Sequence, residues 1–350
     1  MSSGAIALTK VSARPGWGWW VFVAVAAIGL LLLPSRLDLA QQFDISVLFV
    51  LAILALSMGF LWGFVGILSL GQTAFFGLGG YTYAVLSLNT GETTSAFLLA
   101  IALPAAFSAL LGYFMIYGRI SDIYLSVITL VVTLILEKGI RATSGDQFVI
   151  GSVRLNGQNG IPGVPSLQVP WDPQTTLFID GVYYLSAVLL VLVYIGLRLV
   201  LATPFGRVLV GIRENERRIE LLGYDARKYK LWAFILCGAI AGLAGALYAV
   251  WGNFIAPESM NLNQAAQLII WVIVGGRTTL IGPILGAAGV QSLMNWLGTQ
   301  GVGQVTLVLG AILVVFVLVF KEGLVPSGLA ALKALRERIT GAGRSEETRA

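Results

Sequence analysis

The sequence predicts an all-α membrane protein, and three observations carry that prediction. Of the 350 residues 57% are hydrophobic and 11% charged, with mean hydropathy +0.87, which is more apolar surface than one soluble core can hide. Apolar stretches of spanning or near-spanning length recur between residues 17 and 320. Among them lies one long charged interval, Pro204 to Lys230, whose apolar positions keep a helical period.

In chain order, residues 1–16 are polar, with Lys10 and Arg14, and read as a cytoplasmic tail. Trp17 to Leu33 follows as the first span, since it is long for a signal peptide and no small-x-small cleavage pattern comes after it. Further spans are expected at roughly 45–68, 72–88, 96–117, 120–140, 181–201, 230–252, 264–275, 282–299 and 304–320, about ten crossings in all. An even number puts both termini on one side. With both in the cytoplasm, every Lys and Arg except Arg36, Lys138, Arg141 and Arg154 falls inside, as the positive-inside rule requires. The domain reading is therefore a tail (1–16), a transmembrane domain (17–325) and a second cytoplasmic tail (326–350). The one long outer segment, 141–180, is rich in Gly, Pro and Asn and reads as loop or short hairpin. It is either a connector or a lip on which an external substrate carrier docks.

Two Gly-rich breaks interrupt the apolar sequence: SLGQTAFFGLGGY (69–81) and VGGRTTLIGP (274–283), the second with Trp271 just upstream. Each is either a tight turn between spans or a short or re-entrant helix. In the second case Gln72, Thr73, Trp271, Thr278 and Thr279 become candidates for the lining of a polar path. The run CGAIAGLAGALYA (237–249) instead keeps Gly238, Gly242 and Gly245 at helical spacing, which suits close helix packing. GLGGYTYAV (77–85) and GLAGALYAV (242–250) share six of nine positions, a weak internal echo.

The charged interval carries Arg207, Arg213, Arg217, Arg218, Arg227, Lys228 and Lys230, with Arg198 upstream. Phe205, Val208, Leu209, Ile212 and Ile219 recur at spacings of three, four and seven, so one helix face is apolar and the other ionic. Pro204 suits the entrance of that helix and Gly223 its exit. Such a helix lies along the membrane surface or is gripped by a partner that reads its charges, and we take the second reading.

Composition also excludes chemistry. With no His and a single Cys, Cys237, the chain lacks histidine catalysis, most transition-metal sites and any intrachain disulfide. No apolar run carries an ionisable side chain near its middle, where one costs roughly 2.5–3.5 kcal/mol and is kept for ion or proton relays. No GxxxxGK[ST] sequence occurs, so the chain has no phosphate-binding loop of its own. No cofactor is expected in this chain. The pI near 9.4 reflects membrane topology rather than a nucleic-acid surface, because the basic residues are not gathered in a soluble domain.

At this point the residues resemble a family. GRVLVGIRENERRIELLGYDARKYKLWAF followed by AGLAGALYA is similar to the signature of the branched-chain amino-acid ABC importer permeases, the methionine-type membrane subunit. SLGQTAFFGLGGY and IIWVIVGGRTTLIGPILGA are similar to that family's other landmarks, and the resemblance covers about 45–325. It implies a multi-pass bacterial inner-membrane permease that works with a second homologous permease, two cytoplasmic ATPases holding ATP and Mg, and a periplasmic solute-binding protein, all in membrane lipid. Residues 205–223 would be the coupling helix, with Gly206, Arg207, Arg213, Glu214, Asn215, Glu216 and Gly223 falling on the motif. Arg and Glu would bond the ATPase surface while Val208, Leu209 and Ile212 pack on the membrane domain. Gln72 stands where relatives often have His, and Trp271 with VGGRTTL is closer to urea and short-amide permeases of the same family. Branched-chain amino acids are the first expectation for cargo and urea or an amide the alternative. A secondary carrier or channel, and less so a membrane enzyme, are the readings from other classes.

Overall fold

A computed structural model describes residues 16–169, 172–300, 310 and 323–328. Among them ten α-helices run α1 Trp17–Leu32, α2 Leu39–Phe60, α3 Gln72–Thr90, α4 Thr93–Gly112, α5 Asp122–Arg141, α6 Ile179–Ala202, α7 Pro204–Leu221, α8 Ala226–Gly252, α9 Leu262–Gly275 and α10 Ile281–Thr299. Single π-helical turns extend α2 over Leu61–Val65 and α4 over Tyr113–Tyr117.

Six of these helices, α1, α2, α4, α5, α6 and α8, are long and apolar enough to cross a membrane. Each of the nine stretches expected before residue 300 falls on a helix, but α3, α9 and α10 do not reach that standard. At 14 residues α9 is only about 21 Å long, against roughly 30 Å of hydrocarbon. The tenth stretch, 304–320, lies outside the described residues save for residue 310, as do 1–15 and 329–350 entirely.

The six divide by burial. Within their most apolar windows 83% of α2 and 78% of α8 is buried, against 11–28% of the others. A helix that is apolar all round and buried all round is the axis of a bundle, whereas one apolar all round and open is built to face lipid. Thus α2 and α8 form the centre, and α1, α4, α5 and α6 present residues such as Phe114, Ile123 and Ile135 outward.

Local chemistry explains the element ends. Asp38 and Gln41 form a capping box at the start of α2, and Asp225 caps α8 by accepting from Arg227 N. On α8 the small residues do what their spacing predicts. A Cβ at Gly245 would strike the Phe76 carbonyl, and one at Gly79 the Gly242 carbonyl, so α3 and α8 meet backbone to backbone. The two echoing segments are therefore packed against each other. On the other side of α8, Gly242 receives Pro104 of α4.

Segment 141–180 is where the chain leaves the helical pattern. Three short antiparallel pairs form: β1 (Val149–Ile150) with β2 (Val153–Arg154), β3 (Ile161–Pro162) with β6 (Phe254–Ile255), and β4 (Gln168–Val169) with β5 (Asp172–Thr176). The β3–β6 pair fastens this segment to the end of α8, and Arg141 bridges Glu137 (2.8 Å) and Glu258 (2.9 Å) beside it. Because α5 and α6 run between this segment and α7, the two lie at opposite ends of the bundle.

Candidate functional site

At the α7 end, Thr203 accepts from Gly206 N (3.3 Å) and Pro204 takes the first helical position, so the helix starts where the sequence predicts. A Cβ at Gly206 would run into the Val200 carbonyl and Leu201, so this glycine permits the sharp corner between α6 and α7. Val208, Leu209 and Ile212 are buried, and Phe205 stacks on Tyr229 at 5.2 Å. Gly223 sits at φ +90°, with Gly223 N donating to Glu220 O and Tyr224 N to Ile219 O, the paired bonds of a Schellman ending.

The helix over 205–223 is not continuous. Asn215 is extended (φ −161°, ψ 97°), and its Oδ1 accepts from Arg218 N at 3.0 Å, capping a second short segment. An Asn side chain competes with the helical backbone in this way wherever a break is tolerated.

Two of the motif charges also turn inward rather than toward a partner. The Arg213 guanidinium donates to the Gly63 carbonyl, on the π turn that ends α2. Burial and the neighbouring Arg277 charge lower its pKa from the ordinary arginine value, against the pull of Glu214. Glu216 pairs with Lys230 Nζ (2.7 Å), which also reaches Asp122 at 3.4 Å. What remains outward is Arg207, Glu214, Arg217, Arg218 and Glu220, together with Leu221 and Leu222 at 89% and 67% exposure. Sequence reasoning missed those two leucines. Their signal is that they fall off the apolar period immediately before Gly223.

The first Gly-rich break is not a tight turn. After Gly66 the chain runs non-helically to Gly71, and hydroxyls serve its backbone: Thr129 accepts from Leu70 N (3.1 Å) and Thr133 donates to Leu70 O (3.2 Å). Gln72 and Thr73 then open α3, both fully buried. Gln72 Oε1 accepts from Ser57 (3.2 Å), while its Nε2 has no protein partner. The second break is a plain turn between α9 and α10, with Gly276 at φ +103°. Trp271 is fully buried with Nε1 unpartnered, Thr279 Oγ1 accepts from Gly282 N (3.2 Å), and Thr278 Oγ1 is buried without a partner. Arg277 lies over the Trp62 ring at 5.2 Å, and its carbonyl occupies the space a Cβ on Gly63 would need. Arg213 and Arg277 therefore both meet the end of α2 at Gly63.

None of these five candidates lines the open space at the opposite end. There a cavity of about 720 Å³ is bounded by α2, α3, α8, α9, α10 and the turn at 257–260. Its aromatic wall steps from Phe76 to Tyr248 (5.3 Å), Trp251 (5.5 Å) and Phe43 (4.5 Å), with the indole donating to Phe43 O at 2.8 Å. Facing it are Gln264, Gln267, Gln291 and Asn295, with Asp44 and Glu258 also on the lining. The signal for the amides was available: they fall at i, i+3 and i, i+4 on two otherwise apolar helices.

With this geometry in hand, the comparisons become interpretable. Residues 44–319 match the family described as branched-chain amino acid transport system, permease component. The high-affinity branched-chain amino acid transport system permease protein LivM of Escherichia coli K12 is 30% identical over 308 residues, which is 80% of this chain and 69% of that protein. The probable branched-chain amino acid transport permease LivH of Methanocaldococcus jannaschii is 29% identical over 156 residues, 43% of this chain and 49% of that one. The ribose import permease RbsC of E. coli K12 is 28% identical over 215 residues, 59% of this chain and 61% of that protein. No solved structure matches the chain significantly. The matched stretch takes in α2 from Asp44 onward through α10, both Gly-rich breaks and every cavity-lining residue but Phe43, and the chain belongs to the branched-chain amino acid transport permease family.

Proposed function

We propose that this chain is one of two unlike permease subunits of an ATP-binding-cassette importer that carries branched-chain amino acids inward across the bacterial inner membrane. In that assembly α7 seats in a groove of one of the two cytoplasmic ATPases, the 141–180 segment faces a periplasmic solute-binding protein, and about ten spans leave both termini in the cytoplasm. Similarity to both LivM and LivH supports a paired permease, and RbsC shows that the same framework serves other solutes in its relatives.

The observation that carries the reading is α7, an amphipathic helix whose apolar face is buried in the bundle while Arg217, Arg218, Leu221 and Leu222 stand outward at its tip. ATP closing the ATPases would push that tip. Arg213 hands the displacement to Gly63, where α2 ends, and Arg277 on the neighbouring turn receives it. Burial first, and the Arg277 charge second, disfavour the charged form of Arg213, so its bond to the Gly63 carbonyl is the contact that holds the guanidinium at this joint.

The test is reconstitution with the partner permease, ATPases and binding protein. L-leucine uptake should require ATP, and the double change Arg217→Glu with Arg218→Glu should release the ATPases while the membrane domain stays folded. Uptake that runs without nucleotide would instead favour a secondary carrier.

A further inference from the structure

We propose that the cavity at the 141–180 end is a binding chamber for a small solute carrying both a cationic ammonium group and an apolar side chain, an α-amino acid rather than an amide or a sugar. This deepens, and rests on, the import reading above.

The walls differ in chemistry. Phe43, Trp251 and Tyr248 give a continuous aromatic face with neighbouring centroids 4.5 and 5.5 Å apart, and the Trp251–Phe43 O hydrogen bond fixes its orientation. Such a face takes an aliphatic chain by burial and attracts a cation at its ring faces. The charges on the lining are both negative and no described lining residue is basic. Glu258 is held by Arg141, whereas Asp44 is exposed and has no ion pair among the described residues. Asp44 is thus the acceptor available to an ammonium group. Gln264 and Gln267 supply donors for a carboxylate without adding charge, while Gln291 Nε2 donates to Asn295 Oδ1 at 3.2 Å and leaves the Asn295 amide group as a further donor. Urea has neither an ammonium nor an apolar part, and ribose has no cation, so neither uses both walls.

The chamber also has a floor. Phe76 is the one α3 residue on its lining and is itself almost fully buried. One helical turn further along α3 stands Gln72, fully buried, with Nε2 unpartnered. A displaced Phe76 ring would open the chamber onto a waiting hydrogen-bond donor, which makes Gln72 the next station of the solute's carboxylate.

The test measures binding of radiolabelled L-leucine to the permease pair with its ATPases, without the binding protein, in lipid nanodiscs, with three competitors: isopentylamine, which lacks the carboxylate, 4-methylpentanoate, which lacks the ammonium, and urea. Saturable leucine binding, displaced by isopentylamine far better than by 4-methylpentanoate or urea, is expected. Asp44→Asn should weaken it about tenfold or more, the size of a lost charge-assisted contact. Absence of saturable binding, equal competition by isopentylamine and 4-methylpentanoate, or unchanged binding in Asp44→Asn each overturns the assignment. ATP-driven leucine uptake by the full assembly is scored separately. Uptake together with an inert Asp44→Asn defeats the chamber alone, and ammonium-selective binding without ATP-driven uptake defeats the importer reading alone.

Discussion

The two ends of the bundle are built on opposite terms. At the α7 end each inward charge has a partner: Arg213 on the Gly63 carbonyl, Glu216 and Asp122 on Lys230. At the other end, polar groups stand around an open chamber, with Asp44 unpaired among the described residues and Gln264 and Gln267 facing space. A satisfied network is stiff and transmits displacement, whereas an unsatisfied one is free to take a ligand. The difference teaches that one helical bundle can carry a closed hydrogen-bonded network at one end and an open, polar-lined cavity at the other.

The seam between α3 and α8 runs from one end to the other, and breaking it should remove both ends together. Gly245→Val places a side chain against the Phe76 carbonyl and Gly80 N, where only backbone could yield. Overpacking of this kind typically costs about 1–3 kcal/mol, and a clash with backbone on both sides puts this one at the upper end. The expected result is loss of the monodisperse peak on size-exclusion chromatography, or a melting temperature lower by many degrees. A variant that melts with the parent would mean the seam is looser than described.

The charge network at the α7 end gives the next effect in size, and its sign is asymmetric. The Lys230 side chain is 10% exposed, whereas Glu216 and Asp122 are 40% and 54% exposed. Removing both carboxylates (Glu216→Gln with Asp122→Asn) strands a nearly buried ammonium and should cost about 1–3 kcal/mol. Lys230→Met leaves two carboxylates that water can reach and should cost within about 1 kcal/mol. Thermal melts in detergent rank the two, and the reverse order would show that the lysine is better hydrated than its surroundings imply.

How much of this was legible follows from distance along the chain. The helix entrance at Pro204 and exit at Gly223, the buried face of Val208, Leu209 and Ile212, and the close approach of Gly242 and Gly245 are written in neighbouring residues, and the structure has them. The inward turn of Arg213 was not legible, because its acceptor lies 150 residues away on a helix end whose π turn no local pattern announces. The chamber was missed for the same reason: its walls come from six elements, and attention went to the Gly-rich breaks. Those breaks contribute Gln72 behind the chamber floor, while Trp271, Thr278 and Thr279 sit in the packed α9–α10 hairpin.

Coupling supplies a third test of the comparison, with a modest effect on stability and a larger one on transport. Arg213→Ala removes one half-buried charge-to-carbonyl bond, about 1 kcal/mol, and leaves the outward residues Arg217, Arg218, Leu221 and Leu222 in place. ATPase subunits should still copurify and hydrolyse ATP, while leucine moved per ATP falls severalfold. Arg213→Lys should restore little, since a point charge does not reproduce the guanidinium's planar reach. If transport per ATP is unchanged in Arg213→Ala, the stroke enters by another route.

The smallest expected change in stability lies in the chamber and is the sharpest discriminator between the two ends. Gln267 is half-buried on α9, lines the cavity, and makes no side-chain hydrogen bond to another described residue. Gln267→Leu removes no protein contact that folding relies on, so the melting temperature should stay within the range of a surface change, about 0.5 kcal/mol. The chamber nonetheless loses a donor for a carboxylate and gains apolar wall. Leucine affinity should fall while isopentylamine, which has no carboxylate to lose a partner, binds as before or better. A matched fall for both compounds would place Gln267 in the framework rather than at the solute, and the two ends would then differ less than their hydrogen bonding implies.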